Sequence, residues 1–249
     1  MAYDAEQTAA VLSTARDKNC FFLHGVWSRF FPAMHQIRSL IESGVIGDVY
    51  SAHASFCQNE GAGSCSAMAE TGIYCVQFLT FIFAGRDATV KGVAYVADHD
   101  GSSGFDSHTA ATLAFQGGGI GTFECSLRHA SARDAIICGT QGVIRVKYPF
   151  WCPTSISVQV MNGEASQTWS KEEVINFPLP KNAEQGKEHF NFINSRGLAY
   201  EVDAVHRCLS RGHLEAEEFD STECMRVMRL VSEVRQGMCN AGSFNDGET

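Results

Sequence analysis

The stretch TFECSLR at residues 122–128 alternates apolar and polar side chains at every position. The same alternation recurs in IRVKY at residues 144–148 and in SISVQV at residues 155–160. Because successive side chains on a strand point to opposite faces, this pattern indicates a sheet with one buried and one exposed face. Sheets of that kind are usually antiparallel. The second half of the chain is therefore predicted to contain an open, mostly antiparallel sheet.

Residues 1–44 predict a different arrangement of helix, strand and helix. Asp4 stands at an N-cap position before an alanine-rich run. The short apolar run FFLHGVW at residues 21–27 is typical of a buried strand. Pro32 suits the first turn of a second helix, which Gly44 ends. This order is typical of part of a parallel α/β unit, so the fold class expected for the chain is α/β or α+β.

Three more helices are predicted around the sheet. Residues 68–84 are apolar nearly all round, which is typical of a helix buried on most sides. Near the end of the chain, one helix carries apolar side chains at helical spacing, and a second begins after the capping sequence that starts at Asp220. The apolar side chains of the first of these two helices are Leu198, Val202, Val205 and Leu209. With the sheet, these segments predict helices packed on one of its faces.

Composition narrows the classes of function. The chain has 249 residues, of which 45% are hydrophobic and 19% charged, so it is expected to fold into a globular protein. Its formal net charge of −9 disfavours non-specific nucleic-acid binding, which needs a surplus of cations. The N-terminal sequence does not resemble a secretory signal, and the densest apolar run is too short to span a bilayer. Ten scattered cysteines without a C-x-x-C pair predict reduced thiols in a cytoplasmic protein.

Two sequence features that often mark a ligand site are given a structural interpretation. The glycine cluster at residues 117–121 lies between two predicted strands and lacks the G-x-G-x-x-G spacing, so it predicts a hairpin turn and not a phosphate site. His99 and His108 lie in a segment rich in glycine and serine that is predicted to be a surface loop. No third ligand accompanies them in the sequence, and no metal site is predicted.

Two groups of polar residues are candidates for a binding or catalytic site. Trp27 and Arg29 follow the predicted strand at its carboxyl end, where open α/β sheets bind ligands; alternatively, Arg29 is a surface residue whose stem covers neighbouring rings. Glu70, Tyr74 and Gln77 form a polar stripe on the apolar helix. The stripe predicts a cavity or a polar network. Its alternative is structural, with Glu70 complementing the helix N-terminus and Tyr74 as a core residue.

The motifs FLHGVWSRFFP at residues 22–32, GIYCVQF at 72–78 and WCPT at 151–154 resemble, in this order, those of the Gfo/Idh/MocA oxidoreductases. Within that family they are most similar to the branch of NADP-dependent dihydrodiol and D-xylose dehydrogenases. Shorter matches continue at 177–180 and 199–201. The resemblance therefore extends over nearly the whole chain.

The resemblance implies two domains: the C-terminal remnant of a Rossmann dinucleotide-binding domain at residues 1–48, and a C-terminal α/β domain at residues 49–249. In the family, one face of the open sheet often forms a homodimer. The family's glycine-rich phosphate turn and its Glu-Lys-Pro motif, which bears a catalytic lysine, precede the first residue of this sequence. The resemblance thus implies an N-terminally truncated enzyme, and tight NADP binding by these residues alone is not expected.

The same resemblance implies roles for the candidate residues. Tyr74 takes the position of the family's proton-transferring tyrosine, while Trp27 and Arg29 take positions that line the substrate pocket. Glu70, where the family usually has aspartate, is expected to hold a substrate hydroxyl. These roles describe hydride transfer from a sugar or a cyclic vicinal diol to NADP. The alternative is a non-catalytic, truncated paralogue that acts through its dimer-forming sheet.

Overall fold

The computed structural model describes residues 2–62, 64–98, 104–163, 168–181 and 192–241. Its described residues form five α-helices and eight strands, besides shorter helical turns. The helices are α1 (Ala5–Asp17), α2 (Pro32–Glu42), α3 (Ile73–Ile82), α4 (Leu198–Ser210) and α5 (Ser221–Ala241). The strands are β1 (Val49–Cys57), β2 (Ala88–Ala97), β3 (Asp106–Phe115), β4 (Ile120–Ser126), β5 (Ala135–Gly139), β6 (Gly142–Val146), β7 (Ser155–Val160) and β8 (Glu173–Asn176).

The strands form one eight-stranded sheet in the order β2-β3-β4-β1-β5-β6-β7-β8. β1 pairs in parallel with β4, and the other neighbouring strands pair antiparallel. Helices α2, α3 and α5 pack on one face of this sheet. On the opposite face, His53 contacts Thr122 at 2.9 Å and Ser55 contacts Glu124 at 2.8 Å. We call this the outer face. The predicted mixed fold with an open, mostly antiparallel sheet is confirmed.

The predicted N-termini of three helices are confirmed. The side chain of Asp4 accepts a hydrogen bond from the backbone N–H of Gln7 at 2.8 Å, and α1 begins at the next residue after Asp4. Asp220 caps α5 in the same way, accepting from the N–H of Glu223 at 2.8 Å. Pro32 is the first residue of α2. These helices begin where their own sequences satisfy the first free backbone N–H groups.

The glycine cluster is a hairpin turn between β3 and β4, as predicted. The backbone N–H of Phe115 donates to the carbonyl of Gly119 at 3.0 Å and closes the turn. Gly117, Gly118 and Gly119 have φ angles of 76°, 93° and 119°. These left-handed conformations are strained for residues with a side chain, which explains why the turn is made of glycine.

The prediction of a strand at residues 21–27 is wrong. Residues 21–26 belong to no strand, and Trp27–Phe30 forms a 3₁₀ turn. The backbone N–H of Phe22 donates to the carbonyl of Leu214 at 3.0 Å, in the connection between α4 and α5. An apolar run forms a strand only where another strand offers its edge, and the neighbour of this run is a loop.

The buried helix predicted at residues 68–84 is present, but its first turn is wider than an α-helix. Met68–Gly72 is a π-helical turn that continues into α3. The buried carboxylate of Asp106, at the start of β3, accepts hydrogen bonds from the Ser66 hydroxyl and from the backbone N–H of Met68. This cap comes from a strand that is distant in sequence, so the residues of the helix alone do not predict it.

The apolar stripe predicted on α4 faces outward. Leu198, Val202 and Leu209 are 42%, 64% and 55% exposed, whereas Ala204 and Cys208 are buried. The helix is therefore confirmed, but its smaller side chains make the contact with the rest of the molecule.

The larger of two hydrophobic clusters joins the parts of the chain on either side of residue 48. Leu12, Met34 and Ile37 lie in the same cluster of buried side chains as residues of β1, α3 and α5. The boundary between residues 1–48 and 49–249 stays a prediction. Among the residues described, no helix has both the length and the apolarity that crossing a membrane requires.

His24 is expected to make folding stability fall at acid pH. Burial lowers its pKa to about 4, from an ordinary value of 6.5. Between these values the unfolded chain takes up a proton that the folded chain refuses, so stability decreases as the pH falls. At pH 4 the free energy of unfolding is expected to be lower by about 3 kcal/mol than at pH 7. Urea unfolding from pH 7 to pH 4 measures it.

The control for this prediction is a comparison of histidine variants. We expect His24→Gln to lose stability less steeply with acid than the parent, because the variant lacks the titrating ring. His35→Gln, at an exposed position on α2, should show the same dependence of the free energy of unfolding on pH as the parent. Equal slopes for His24→Gln and the parent would show that His24 does not contribute to the acid sensitivity.

Candidate functional site

Aromatic side chains from three distant parts of the chain meet at the end of β1. Phe56, one residue before the end of that strand, stacks on Trp151 with ring centroids 3.9 Å apart and an interplanar angle of 15°. The ring of Tyr74, on the first turn of α3, lies 5.7 Å from that of Phe56. Trp27 and Trp151 are each only 8% exposed. Phe56, Trp151 and the ring of Tyr74 therefore form one aromatic cluster at the end of β1.

Hydrogen bonds hold the loop that carries Trp151 against its neighbours. The Ser28 hydroxyl, in the 3₁₀ turn, donates to the backbone carbonyl of Trp151. The side-chain amide of Asn194 donates to the carbonyl of Cys152 at 2.9 Å. These two bonds fix the loop between the 3₁₀ turn and the start of α4, so the position of the indole depends on both.

Tyr74 is neutral in its present surroundings. Burial raises the pKa of its hydroxyl, and the nearby carboxylates of Glu70 and Glu201 raise it further. The neighbouring indole of Trp27 acts in the opposite direction and lowers the pKa of the hydroxyl. A phenolate is thus disfavoured, because a negative charge there lacks water and faces other negative groups. The described residues suit Tyr74 as a proton donor.

Glu201 is a candidate residue that the sequence reasoning missed. It lies on the first turn of α4, and burial raises the pKa of its carboxyl. Its Oε1 atom is buried and has no hydrogen-bond partner among the described residues. Buried carboxyl oxygens without a partner are rare, since they lose hydration and gain nothing in return. The only sequence signal was its place in the motif at residues 199–201.

Glu70 and Arg29 lie on different sides of Tyr74. Glu70 is exposed on the π-helical turn, close enough to raise the pKa of Tyr74. Arg29 is 3% exposed, and its guanidinium lies against the next turns of α3. The structure therefore brings Trp27, Glu70 and Tyr74 together at one site and places the guanidinium of Arg29 behind it.

The Arg29 guanidinium is the centre of a buried network. Its Nε donates to the side-chain carbonyl of Gln77 at 2.7 Å, and one terminal nitrogen donates to the Gln77 backbone carbonyl and to the Thr80 hydroxyl at 2.9 and 3.0 Å. Glu223 of α5 lies 3.4 Å away. The rings of Phe81 and Phe219 flank the cation, with centroids at 5.1 and 4.9 Å. The polar network predicted for the stripe on α3 is present at Gln77.

Burial lowers the pKa of Arg29 to about 10, although the charge of Glu223 acts in the opposite direction. The side chain stays cationic at neutral pH and donates to groups of α3 and to Glu223. Arg29 thus ties the 3₁₀ turn that carries Trp27 to the helix that carries Tyr74. The surface alternative considered for Arg29 is wrong, because the residue is buried.

Comparisons with known proteins place the fold in a family. The family model described as the GFO/IDH/MocA C-terminal domain matches residues 34–145. Trans-1,2-dihydrobenzene-1,2-diol dehydrogenase of Bos taurus is 30% identical over 246 residues, which cover 96% of this chain and 68% of the relative. The Homo sapiens enzyme of the same name is 29% identical over 94% of this chain and 67% of its own length. The chain thus spans about two thirds of these relatives.

Solved structures share the fold at lower identity. A levoglucosan dehydrogenase, in complex with NADH and levoglucosan, matches with a TM-score of 0.76 and 15% identity, covering 97% of this chain and 70% of that one. KijD10, a 3-ketoreductase of Actinomadura kijaniata in complex with TDP-benzene and NADP, matches with a TM-score of 0.74 and 20% identity, covering 94% and 66%. The curated relatives are dehydrogenases, which supports an oxidoreductase function. The chain belongs to the GFO/IDH/MocA family of oxidoreductases.

Proposed function

We propose that this chain supplies the substrate-binding and proton-transfer part of an NADP-dependent dehydrogenase that acts on a sugar or a cyclic vicinal diol. The observation that carries the proposal is Tyr74, whose ring packs against Phe56 and whose hydroxyl is close enough to the carboxyl of Glu201, with its partnerless oxygen, for that carboxyl to raise the pKa of the tyrosine. Apolar walls suit the carbon face of a cyclic polyol, and convergent polar groups suit its hydroxyls. The names of the curated relatives agree with a diol substrate.

The described residues do not fit the pyrophosphate of a dinucleotide. Their glycine-rich turn at 117–119 joins two strands and precedes no helix, so it lacks the N–H cradle that phosphates require. Bound nicotinamide would supply the hydride acceptor for oxidation or the hydride donor for reduction. We propose that NADP is held mainly by residues outside those described.

The roles of the site residues follow from their surroundings. Tyr74 donates its proton to the oxygen of a carbonyl substrate as that oxygen gains negative charge, and Trp27 orients the tyrosine through its indole N–H. In the direction of alcohol oxidation, the hydroxyl needs a nearby cation to accept a proton at neutral pH. We assign Glu201 to a substrate hydroxyl inside the pocket and the exposed Glu70 to one at its rim.

Arg29 receives a positioning role in this proposal. The contacts of Arg29 with Gln77 and Thr80 support a role in holding the two elements of the site together, beside the substrate contact that the family resemblance implies. The whole protein is proposed to be cytoplasmic and homodimeric, with the outer face of the sheet contacting the second copy, as the family resemblance implies.

The proposal is tested by an activity assay with and without a nucleotide-binding domain. The chain is assayed by itself and joined behind the nucleotide-binding domain of a dihydrodiol dehydrogenase, with trans-dihydrodiols and D-xylose as substrates and NADP reduction as the readout. We expect turnover only from the joined protein, and only weak NADPH binding by the chain alone in a fluorescence titration. A folded joined protein that turns over neither substrate class would contradict the proposal and favour the non-catalytic alternative.

A further inference from the structure

Metal-ligating side chains gather on the outer face of the sheet, where β1 and β4 end. Cys57 is the last residue of β1, Glu124 lies in β4, and His129 lies in the loop after β4. Each offers one ligand atom, and the three atoms all lie within 4.8 Å of one another. Cys57 is buried, Glu124 is half-buried and His129 is exposed. The cluster lies on the opposite face of β1 from Phe56 and the proposed substrate pocket.

The backbone holds these three elements in place independently of the donors. The parallel pairing of β1 with β4 sets Ser55 opposite Glu124, and the Ser55 hydroxyl donates to the Glu124 carboxylate at 2.8 Å. The loop after β4 folds back over β1, since the Ser131 hydroxyl accepts from the N–H of Cys57 at 3.2 Å. A carboxylate oriented by a hydrogen bond is the usual second-shell arrangement of a metal ligand.

A fourth donor adjoins the cluster on β3. The ring of His108 lies 4.8 Å from that of His129, centroid to centroid. Its Nε2 atom is buried and has no hydrogen-bond partner in the part of the chain that the structure describes. A buried ring nitrogen without a partner is costly, and a bound cation would satisfy it. The prediction that His108 lies in a surface loop is wrong. The residue belongs to β3, which brings it to this site.

We propose that Cys57, Glu124 and His129 bind a divalent transition-metal ion such as Zn²⁺, with Nε2 of His108 as the fourth ligand. Thiolate, imidazole and carboxylate groups favour Zn²⁺ over Mg²⁺ and Ca²⁺, which prefer oxygen ligands. In a tetrahedral zinc site the ligand atoms lie about 3.3–3.8 Å apart. The three donor atoms lie within 4.8 Å of one another, so their side chains close slightly to reach that spacing.

Four protein ligands leave no open position, so the proposed site is structural. The ion would link β1, β3, β4 and the loop after β4 directly behind Phe56. The sequence does not reveal this site, because its ligands are not at the short spacings typical of zinc motifs. Cys57 is distant from Glu124 in the sequence, and His108 is distant from His129. None of the four residues belongs to the substrate pocket proposed above.

The test uses the metal-free 249-residue chain with its exposed thiols removed by Cys20→Ser and Cys239→Ser. Zn²⁺ at a hundred times its dissociation constant is expected to raise Tm by roughly 5–10 °C. Co²⁺ is expected to give the intense visible bands of tetrahedral cobalt and a thiolate-to-cobalt charge-transfer band. Mg²⁺ should change neither measurement.

Variants decide whether the ion binds at the proposed residues. His129→Ala removes the ligand that is exposed in the single chain, and it is expected to weaken Zn²⁺ binding on the order of a hundredfold. Cys57→Ser is expected to abolish the charge-transfer band. His35→Ala, an exposed histidine elsewhere, should bind as the parent does. An unchanged Tm with Zn²⁺, an octahedral cobalt spectrum, or equal binding by His129→Ala and the parent would overturn the proposal.

Discussion

Replacing Arg29 by alanine is expected to lower the free energy of unfolding by about 3–5 kcal/mol. The side-chain oxygen of Gln77 and its backbone carbonyl lose their donors, and water does not reach Gln77, which is fully buried. The rings of Phe81 and Phe219 lose the cation between them. For a chain of this size the change corresponds to a fall in Tm of roughly 6–20 °C, which calorimetry measures.

The matched control is Arg207→Ala, because Arg207 is also paired with a carboxylate but is 52% exposed. Exposed ion pairs contribute little to stability, so the free energy of unfolding of this variant should fall by at most about 1 kcal/mol. Arg29→Lys should fail to restore the parent's stability, since an ammonium does not reproduce the planar set of donors. If Arg29→Ala lowered the free energy of unfolding by less than about 1 kcal/mol, the buried network would not have the stabilising role assigned to it.

Replacing Tyr74 by phenylalanine is expected to lower the turnover of the joined enzyme by at least about a hundredfold. The variant keeps the ring that packs against Phe56 and removes only the hydroxyl that moves the proton. Substrate binding should change much less than turnover, because the aromatic cluster stays in place. Steady-state kinetics with each substrate separates the two effects.

The control for Tyr74→Phe is Tyr95→Phe, which removes a phenolic hydroxyl from β2, away from the aromatic cluster. This variant should keep the turnover of the parent. If Tyr74→Phe also kept that turnover while remaining folded, the proton would pass through another group, and the role assigned to Tyr74 would be wrong.

Sequence patterns predicted the elements that local residues determine. Asp4 and Pro32 begin their helices through groups in the same turn, and the alternation at residues 122–128 follows from the geometry of a single strand. The glycine turn before β4 is likewise local. The prediction at residues 21–27 failed because a strand needs a neighbouring edge, which no pattern within the run itself can supply.

The site was harder to predict because its parts come from distant segments. Trp27 and Tyr74 were found through motifs, and the structure places them close enough for the indole of Trp27 to influence the pKa of the tyrosine. The burial of Arg29 depends on Glu223 and on two phenylalanines from other elements, none of which its own neighbours in sequence indicate. Glu201 gave no signal beyond its motif, since its missing hydrogen-bond partner is visible only in three dimensions.

The parallel pairing of β1 with β4 has a consequence for the order of folding. Ser55 and Glu124 contact each other although 69 residues separate them, whereas the hairpins β3–β4 and β5–β6 close over short loops. Contacts between distant residues form slowly, so β1 is expected to enter the sheet after both hairpins exist. Until it does, the inner edges of β4 and β5 stay unpaired and available to other chains. The yield of refolding should therefore fall as protein concentration rises.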